Sequence, residues 1–268
     1  MARLRLDQAL VERGLAESRH KAQALVRAGQ VRVDGQVVDQ PAFACRDGVD
    51  IQVATGPRFV SRGGDKLQGA LDRFGSVEIK DRICLDCGIS TGGFTDCLLQ
   101  HGARRVHGID VGYGQVAWKL RSDPRVVLHE RTNLRLLTPA SLYGADDEPA
   151  TLATVDISFI SVRLVLPVLR ALLAPPHELL VLVKPQFEAG RGRVGKHGVV
   201  RDPAVHCEVI AAVWEAASAL GWQFRGLTGS PLTGPAGNHE YWLWLADEGE
   251  AVLVGEQIER CVAETLAG

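Results

Sequence analysis

The chain has 268 residues, 46% of them hydrophobic, which fits one to two domains with ample material for a buried core. No uncharged apolar run approaches the roughly 18 residues of a spanning helix, and the N-terminus lacks a signal peptide's apolar region, so a cytoplasmic protein is expected. The formal charge of −2 conceals a basic end: seven basic residues (Arg3, Arg5, Arg13, Arg19, Lys21, Arg27, Arg32) stand against three acids (Asp7, Glu12, Glu17), which points towards a polyanion.

Residues 4–15 place Leu4, Leu6, Leu10, Val11 and Leu15 on one helical face, with Gly14 as the stop. Ser18 caps a second helix that runs to Ala28, with Ala22, Leu25 and Val26 on its apolar side and Gly29 ending it. Val31-Arg32-Val33 and Val37-Val38 flank Asp34-Gly35, a hairpin signal, and Ile51-Gln52-Val53 adds a strand. Two short helices and a small sheet, with Arg19, Lys21, Arg27 and Arg32 near one edge, suit a clamp for structured RNA. Charge alone more often marks a solvated face. The order of elements over residues 1–55 resembles the alpha-L RNA-binding domain of a ribosomal small-subunit protein, which implies RNA contact through Arg19, Lys21 and the hairpin.

Residues 56–64, carrying Pro57 and three glycines without periodicity, read as a linker. From 65 to 268 strands and helices alternate, which predicts an α/β domain with a mostly parallel sheet covered on both faces. Strands are expected at 82–86, 105–110, 125–130, 152–156, 178–184, 222–228 and 240–246, and helices at 65–74, 93–101, 115–121, 161–173, 204–220 and 253–266. The last two strands are joined by a loop holding Pro231, Gly234, Pro235 and Gly237, so the final strand should run antiparallel. Trp242 and Trp244 on one face of it read as core, and Asp146-Asp147-Glu148 as a solvated loop.

The first of these strands ends in Asp86-Cys87-Gly88-Ile89-Ser90-Thr91-Gly92-Gly93-Phe94. Glycines between a strand and a helix expose backbone N–H groups at the helix N-terminus, a cradle for a cofactor. A P-loop would need Gly-Lys-Ser/Thr, and a dinucleotide turn a glycine where Ser90 stands. Asp86 would repel phosphate but attract an ammonium or sulfonium, and S-adenosylmethionine carries both. Asp110, twenty-four residues on and again at a strand end, is placed to accept hydrogen bonds from a ribose diol; otherwise it caps a loop. Gly88-Ile89-Ser90-Thr91-Gly92 also spells a hydrolase elbow, with Ser90 as nucleophile, Asp156 as third member and His206 or His239 as base. That rival is weak, because no earlier strand supplies an oxyanion loop. Cys84 and Cys87 straddle a strand end and lack a second pair for zinc, so core packing and no metal site are expected.

Catalytic groups belong at the carboxyl ends of such strands. Asp156 ends one, and Lys184 ends the apolar run Leu179–Val183, where an ammonium is costly unless paired or functional. Asp156 is its expected partner, and Lys66 and Glu240 could complete the ring. Such residues suit methyl transfer to a weakly acidic hydroxyl: Lys184, desolvated beside a second ammonium, as base, Lys66 holding the oxygen, Asp156 and Glu240 orienting the lysines.

Lys66 in Ser-Arg-Gly-Gly-Asp-Lys-Leu, Asp156 in Val-Asp-Ile-Ser-Phe-Ile-Ser, Lys184 in Val-Lys-Pro-Gln-Phe-Glu and Glu240 in Asn-His-Glu-Tyr resemble the Lys-Asp-Lys-Glu tetrad of FtsJ-type RNA 2′-O-methyltransferases. With the alpha-L domain in front, residues 3–266 resemble the hemolysin A (TlyA) family, departing from its usual cofactor loop at Cys87 and Ile89. The resemblance implies a Rossmann-like seven-stranded methyltransferase sheet and methylation of cytidine 2′-hydroxyls in ribosomal RNA, within ribosomal subunits. It also implies that Arg58-Phe59-Val60 couples RNA capture to cofactor binding. The loop from Gln186 to Pro203, carrying Arg191, Arg193, Lys196, His197 and Arg201, is a candidate grip on the target strand. A non-catalytic RNA-binding assembly factor, or a lytic protein, is the other class of reading; lysis would need an amphipathic or spanning segment that is not evident.

Overall fold

The structure is a computed structural model that describes all residues except 1–3, 47, 55, 145, 146, 250–252 and 268, together with the side chain of Arg191. Arg3 and Asp146 of the sequence reading lie outside the described residues. The chain divides into two compact units, Met1–Arg58 and Phe59–Gly268.

The smaller unit contains β1 (Leu4–Arg5), α1 (Leu6–Glu12), α2 (Arg19–Arg27), β2 (Val31–Val33), β3 (Gln36–Val37), β4 (Ala44–Cys45) and β5 (Ile51–Val53). The first helix is shorter than expected because Leu4 and Arg5 pair with β4 instead, and Gly14, at φ +69°, lets the chain leave the helix. Val11 and Leu15, expected on its buried face, are 36% and 38% exposed. The second helix is capped as predicted, the Ser18 hydroxyl accepting from the Lys21 amide at 3.3 Å. Asp34 and Gly35 both adopt positive φ, +50° and +79°, which closes a two-residue hairpin with the twist that β2 and β3 require. Leu6, Ala9, Leu10, Ala22, Val26 and Val31 form a core of this unit's own.

The larger unit contains α3 (Arg62–Phe74), β6 (Ile83–Cys87), α4 (Gly93–Gln100), β7 (Arg105–Ile109), α5 (Trp118–Arg121), β8 (Val126–His129), α6 (Pro139–Leu142), β9 (Leu152–Val155), α7 (Leu166–Leu172), β10 (Glu178–Val183), α8 (Pro185–Glu188), α9 (Pro203–Ser218), β11 (Gln223–Gly229), β12 (Tyr241–Ala246) and α10 (Val254–Ala267). Seven strands form one sheet in the order β11-β12-β10-β9-β6-β7-β8, with β12 antiparallel to both neighbours and the other pairings parallel. Successive residues point to opposite faces: Leu179, Val181 and Val183 enter one core, Leu180 and Leu182 the other. Burial on both sides explains why this strand is apolar throughout, each leucine contributing about 2 kcal/mol. Trp242 and Trp244 do lie in the core, their rings 5.2 Å from Phe94 and 5.3 Å from Phe74.

Several boundaries differ from expectation. Phe59, read as part of the linker, is 2% exposed and belongs to the core of the larger unit. The helix bearing Lys66 starts at Arg62, three residues early. The single helix expected at 161–173 is broken at Val165 into a tight turn (Val162–Leu164) and α7, which has a proline in its first turn. Asp147 and Glu148 pair with Arg105 and Arg104. All six cysteines are free; Cys84 and Cys87 are fully buried, and burial pushes the Cys84 thiol up to about 12, as core packing requires. Among the described residues no helix is long and apolar enough to cross a membrane.

Candidate active site

Strand register assembles the site. Cys87 lies opposite both Ile109 and Val155, so the next residues, Gly88, Asp110 and Asp156, leave the sheet at one level. Val183 lies opposite Tyr241, and one step further Lys184 and Glu240 leave β10 and β12 side by side. Five residues far apart in sequence thus meet at the carboxyl edge of the parallel strands, where open α/β sheets bind ligands.

The glycine turn is tight for a steric reason. A Cβ on Gly88, at φ +92°, would sit 2.4 Å from the carbonyl oxygen of Asp156. Gly92, at φ +101°, is likewise closed by Leu120, at 2.3 Å. Ser90 holds a positive φ of +49°, and its amide donates to Asp110 Oδ2 at 2.8 Å, while the amide of Gly112 donates to Oδ1 at 2.7 Å. Asp110 therefore does cap both turns, yet its carboxylate stays partly exposed and each oxygen keeps a further lone pair. It lines a cavity of about 340 Å³ together with Gly88, Ser90, Val111, Asn133, Ile157 and Phe159.

Asp86 departs from the reading that aimed it at a cofactor. It is 1% exposed and lines neither cavity at the turn; its Oδ2 accepts from the amide and the hydroxyl of Thr95, at 2.9 and 2.7 Å. Burial pushes this carboxyl up to about 7, against the pull of the Thr95 bonds. The acid anchors the first turn of α4 from beneath. Nothing in a strand-end acid signals this, because its partner sits nine residues later.

A second cavity, about 420 Å³, adjoins the turn and is lined by Lys66, Gly88, Ser90, Thr91, Gly93, Phe94 and Asp156 among others. The four candidate catalytic residues form two ion pairs on this edge. Lys66 Nζ donates to Glu240 Oε2 at 2.6 Å, the side chains being 12% and 2% exposed. Lys184 pairs with Asp156 and also donates to Ser158 Oγ at 3.0 Å. Ser158, two residues beyond Asp156, escaped the sequence reading, as did Asp96, which is 2% exposed and accepts from the Val60 amide and from Lys119, each at 3.0 Å. Both stand beside residues that were singled out; only the fold reveals what they hold.

The hydrolase alternative loses its base. Both nitrogens of His206 are engaged, with the Val200 carbonyl at 3.1 Å and the Tyr241 hydroxyl at 2.8 Å. His239 lines a different cavity, and the partner of Asp156 is a lysine.

The residues assigned to RNA are placed unequally. Arg27 is exposed, Arg19 pairs with Asp7, Lys21 with Glu17, and Arg32 donates to the Gly35 carbonyl at 2.9 Å across its own hairpin. Arg193 is tied back to Glu208 and to the Ala189 carbonyl, and its loop contains α8 and two tight turns. Phe59 cannot stack on a base where it stands, being sealed against Gly64, whose Cβ would fall 2.2 Å from its ring. Arg58 ends the smaller unit.

Residues 59–247 match the FtsJ-like methyltransferase family, and residues 4–51 match the S4 domain. The chain is 50% identical to YqxC of Bacillus subtilis over 97% of its length and 93% of that protein's. It is 46% identical to the 16S/23S rRNA (cytidine-2′-O)-methyltransferase TlyA of Mycobacterium tuberculosis, covering 99% of this chain and 98% of the other. A solved structure from Streptococcus thermophilus, designated a hemolysin, superposes with a TM-score of 0.73 at 38% identity, over 99% of this chain and 96% of that one.

Proposed function

The chain belongs to the FtsJ-like methyltransferase family and to its S4-bearing TlyA/hemolysin A branch, and from that premise we propose that it uses S-adenosylmethionine to methylate the 2′-hydroxyl of cytidine in ribosomal RNA. The observation that carries the reading is the double ion pair, Lys66 with Glu240 and Lys184 with Asp156, at the edge of the cavity that adjoins the Gly88 turn.

The residues at the turn fit the donor. Gly88 lines both cavities at the turn, the partly exposed Asp110 carboxylate suits a ribose diol, and Ile109, Val111, Leu134, Ile157 and Ile160 offer apolar walls for a base. The N-terminus of α4, which opens from the glycine turn, suits a carboxylate. The bound donor supplies a methyl already activated on a sulfonium. What the chain must add is alignment and a place for one proton. Lys184 in its neutral form takes the 2′-hydroxyl proton, with Asp156 and Ser158 aiming Nζ. Lys66, held by the buried Glu240, stabilises the charge that grows on the oxygen.

The test uses tritiated S-adenosylmethionine and ribosomal RNA, both naked and within each purified subunit. Label should enter cytidine riboses and be absent when the target carries a 2′-deoxyribose, and Lys184→Ala should lower kcat by about 10²–10⁴ with donor affinity unchanged. Label in the deoxy substrate would mean base methylation and would end this assignment.

A further inference from the structure

Asp7 is an acid where a polyanion-binding face should have none. It lies in the first turn of α1, its side chain is 0% exposed, and every hydrogen bond it accepts from a side chain comes from a residue nearer the surface. Arg5 grips it with two donors, Nε to Oδ1 at 3.0 Å and Nη2 to Oδ2 at 3.1 Å. Arg19 Nε and Gln23 Nε2 both reach Oδ2, at 3.1 and 2.9 Å. The arginine side chains remain 43% and 53% exposed. The hydrogen bonds from Arg5, with those from Gln23 and Arg19, hold the carboxyl well below the usual carboxylate range despite its burial, so it stays charged in any physiological medium.

A guanidinium has five N–H donors in one plane. In this arrangement Arg5 spends two on Asp7 and Arg19 spends one. The remaining donors belong to side chains that stay about half exposed, each anchored on the buried carboxylate. Arg19 is also the first residue of α2, where the helix dipole disfavours a cation, and the buried carboxylate offsets that cost. Free arginines lose side-chain entropy when they bind phosphate; these two have lost much of it beforehand.

We propose that Asp7 is a positioning residue for RNA capture, fixing Arg5 and Arg19 as a rigid pair of forks for adjacent backbone phosphates. This rests on the reading that the S4-like unit binds RNA. It adds Arg5 to the contact surface and gives a buried acid a role that charge counting opposes, since removing a negative charge from a basic face should by electrostatics alone tighten binding.

That opposition makes the test decisive. Binding of the full-length protein to labelled ribosomal RNA is titrated over a range of salt concentrations for the wild type and for Asp7→Asn. Positioning predicts about ten-fold weaker binding and a log–log salt slope shallower by about 1 to 2, as phosphate contacts are lost. Tighter binding with a steeper slope overturns the proposal. Because Asp7→Asn can loosen the small unit, the double variant Arg5→Lys/Arg19→Lys provides a second arm in which the acid and the net charge are kept. It should also bind about ten-fold weaker; wild-type affinity there overturns the proposal independently of folding. A wild-type protein that binds RNA without salt dependence would instead defeat the underlying RNA reading, an outcome separate from either.

Discussion

Two buried groups on neighbouring strands of the large sheet pull its stability in opposite directions with pH. Burial raises Asp86 from an ordinary 3.8 to about 7, so between those values the native state holds a proton that the unfolded chain has released. Its contribution is complete below about pH 4 and is lost as pH rises to 7. His107 behaves in reverse. Burial, helped by the neighbouring His129, lowers it from 6.5 to about 4, so the unfolded chain holds the extra proton and stability grows as pH climbs through that window. Each effect is at most on the order of 3–4 kcal/mol, and they largely cancel. Burial lowers His129 and His206 in the same sense as His107, so thermal stability of the wild type should rise from pH 4 to pH 7. Asp86→Asn should steepen that rise, and His107→Asn should make it shallower. Asp7, whose Arg5 bonds lower its carboxyl, releases its contribution only below this window and does not blur the comparison. Parallel curves for all three proteins would show that neither group is coupled to folding as the burial implies.

At the scale of elements, the segment joining the small unit to α3 behaves as core rather than connector. Phe59 packs against Leu67, Phe94 and their neighbours beneath the helix that presents Lys66. Phe59→Ala should cost about 3–5 kcal/mol by emptying that space, and Phe59→Leu much less. Chemical denaturation checks this; a variant with unchanged stability and weakened RNA binding would return Phe59 to the RNA surface. The contrast shows what the sequence can convey. Strand ends were legible because an apolar run stopping at Asp86, Asp110, Asp156 or Lys184 is a local event, and the double burial of β10 follows from its uninterrupted leucines and valines. The pairing of Lys184 with Asp156 followed from adjacent strands alone. Lys66 and Glu240, 174 residues apart, could be read from the sequence as candidates to complete the ring, but their pairing with each other is visible only in the fold. Phe59 among prolines and glycines looked like linker because Gly64, which makes room for its ring, is silent about packing until the backbone is folded. Asp86 misled for the same reason: only the arrival of Thr95 shows that its Oδ2 is engaged from within.

At the scale of the molecule, division of labour follows from the separate cores. The cluster around Leu6, Leu10 and Val26 includes no residue beyond Val53, and both clusters of the large unit begin at Phe59 or later. Each unit can thus be stable without the other's apolar surface, and what the covalent join supplies is concentration. Joining two binding modules in one chain makes the second binding event intramolecular, with an effective concentration on the order of millimolar. Residues 59–268 alone should accordingly bind S-adenosylmethionine as the full chain does while losing about 10²–10³ in kcat/KM towards ribosomal RNA, with kcat at saturating RNA much less affected. Micromolar amounts of residues 1–58 added separately should restore little, since they remain far below the tethered concentration. Isothermal titration for the donor and tritium incorporation for the RNA measure the two halves of this expectation. Full kcat/KM in the truncated chain would mean that the sheet edge, and not the basic small unit, gathers the substrate.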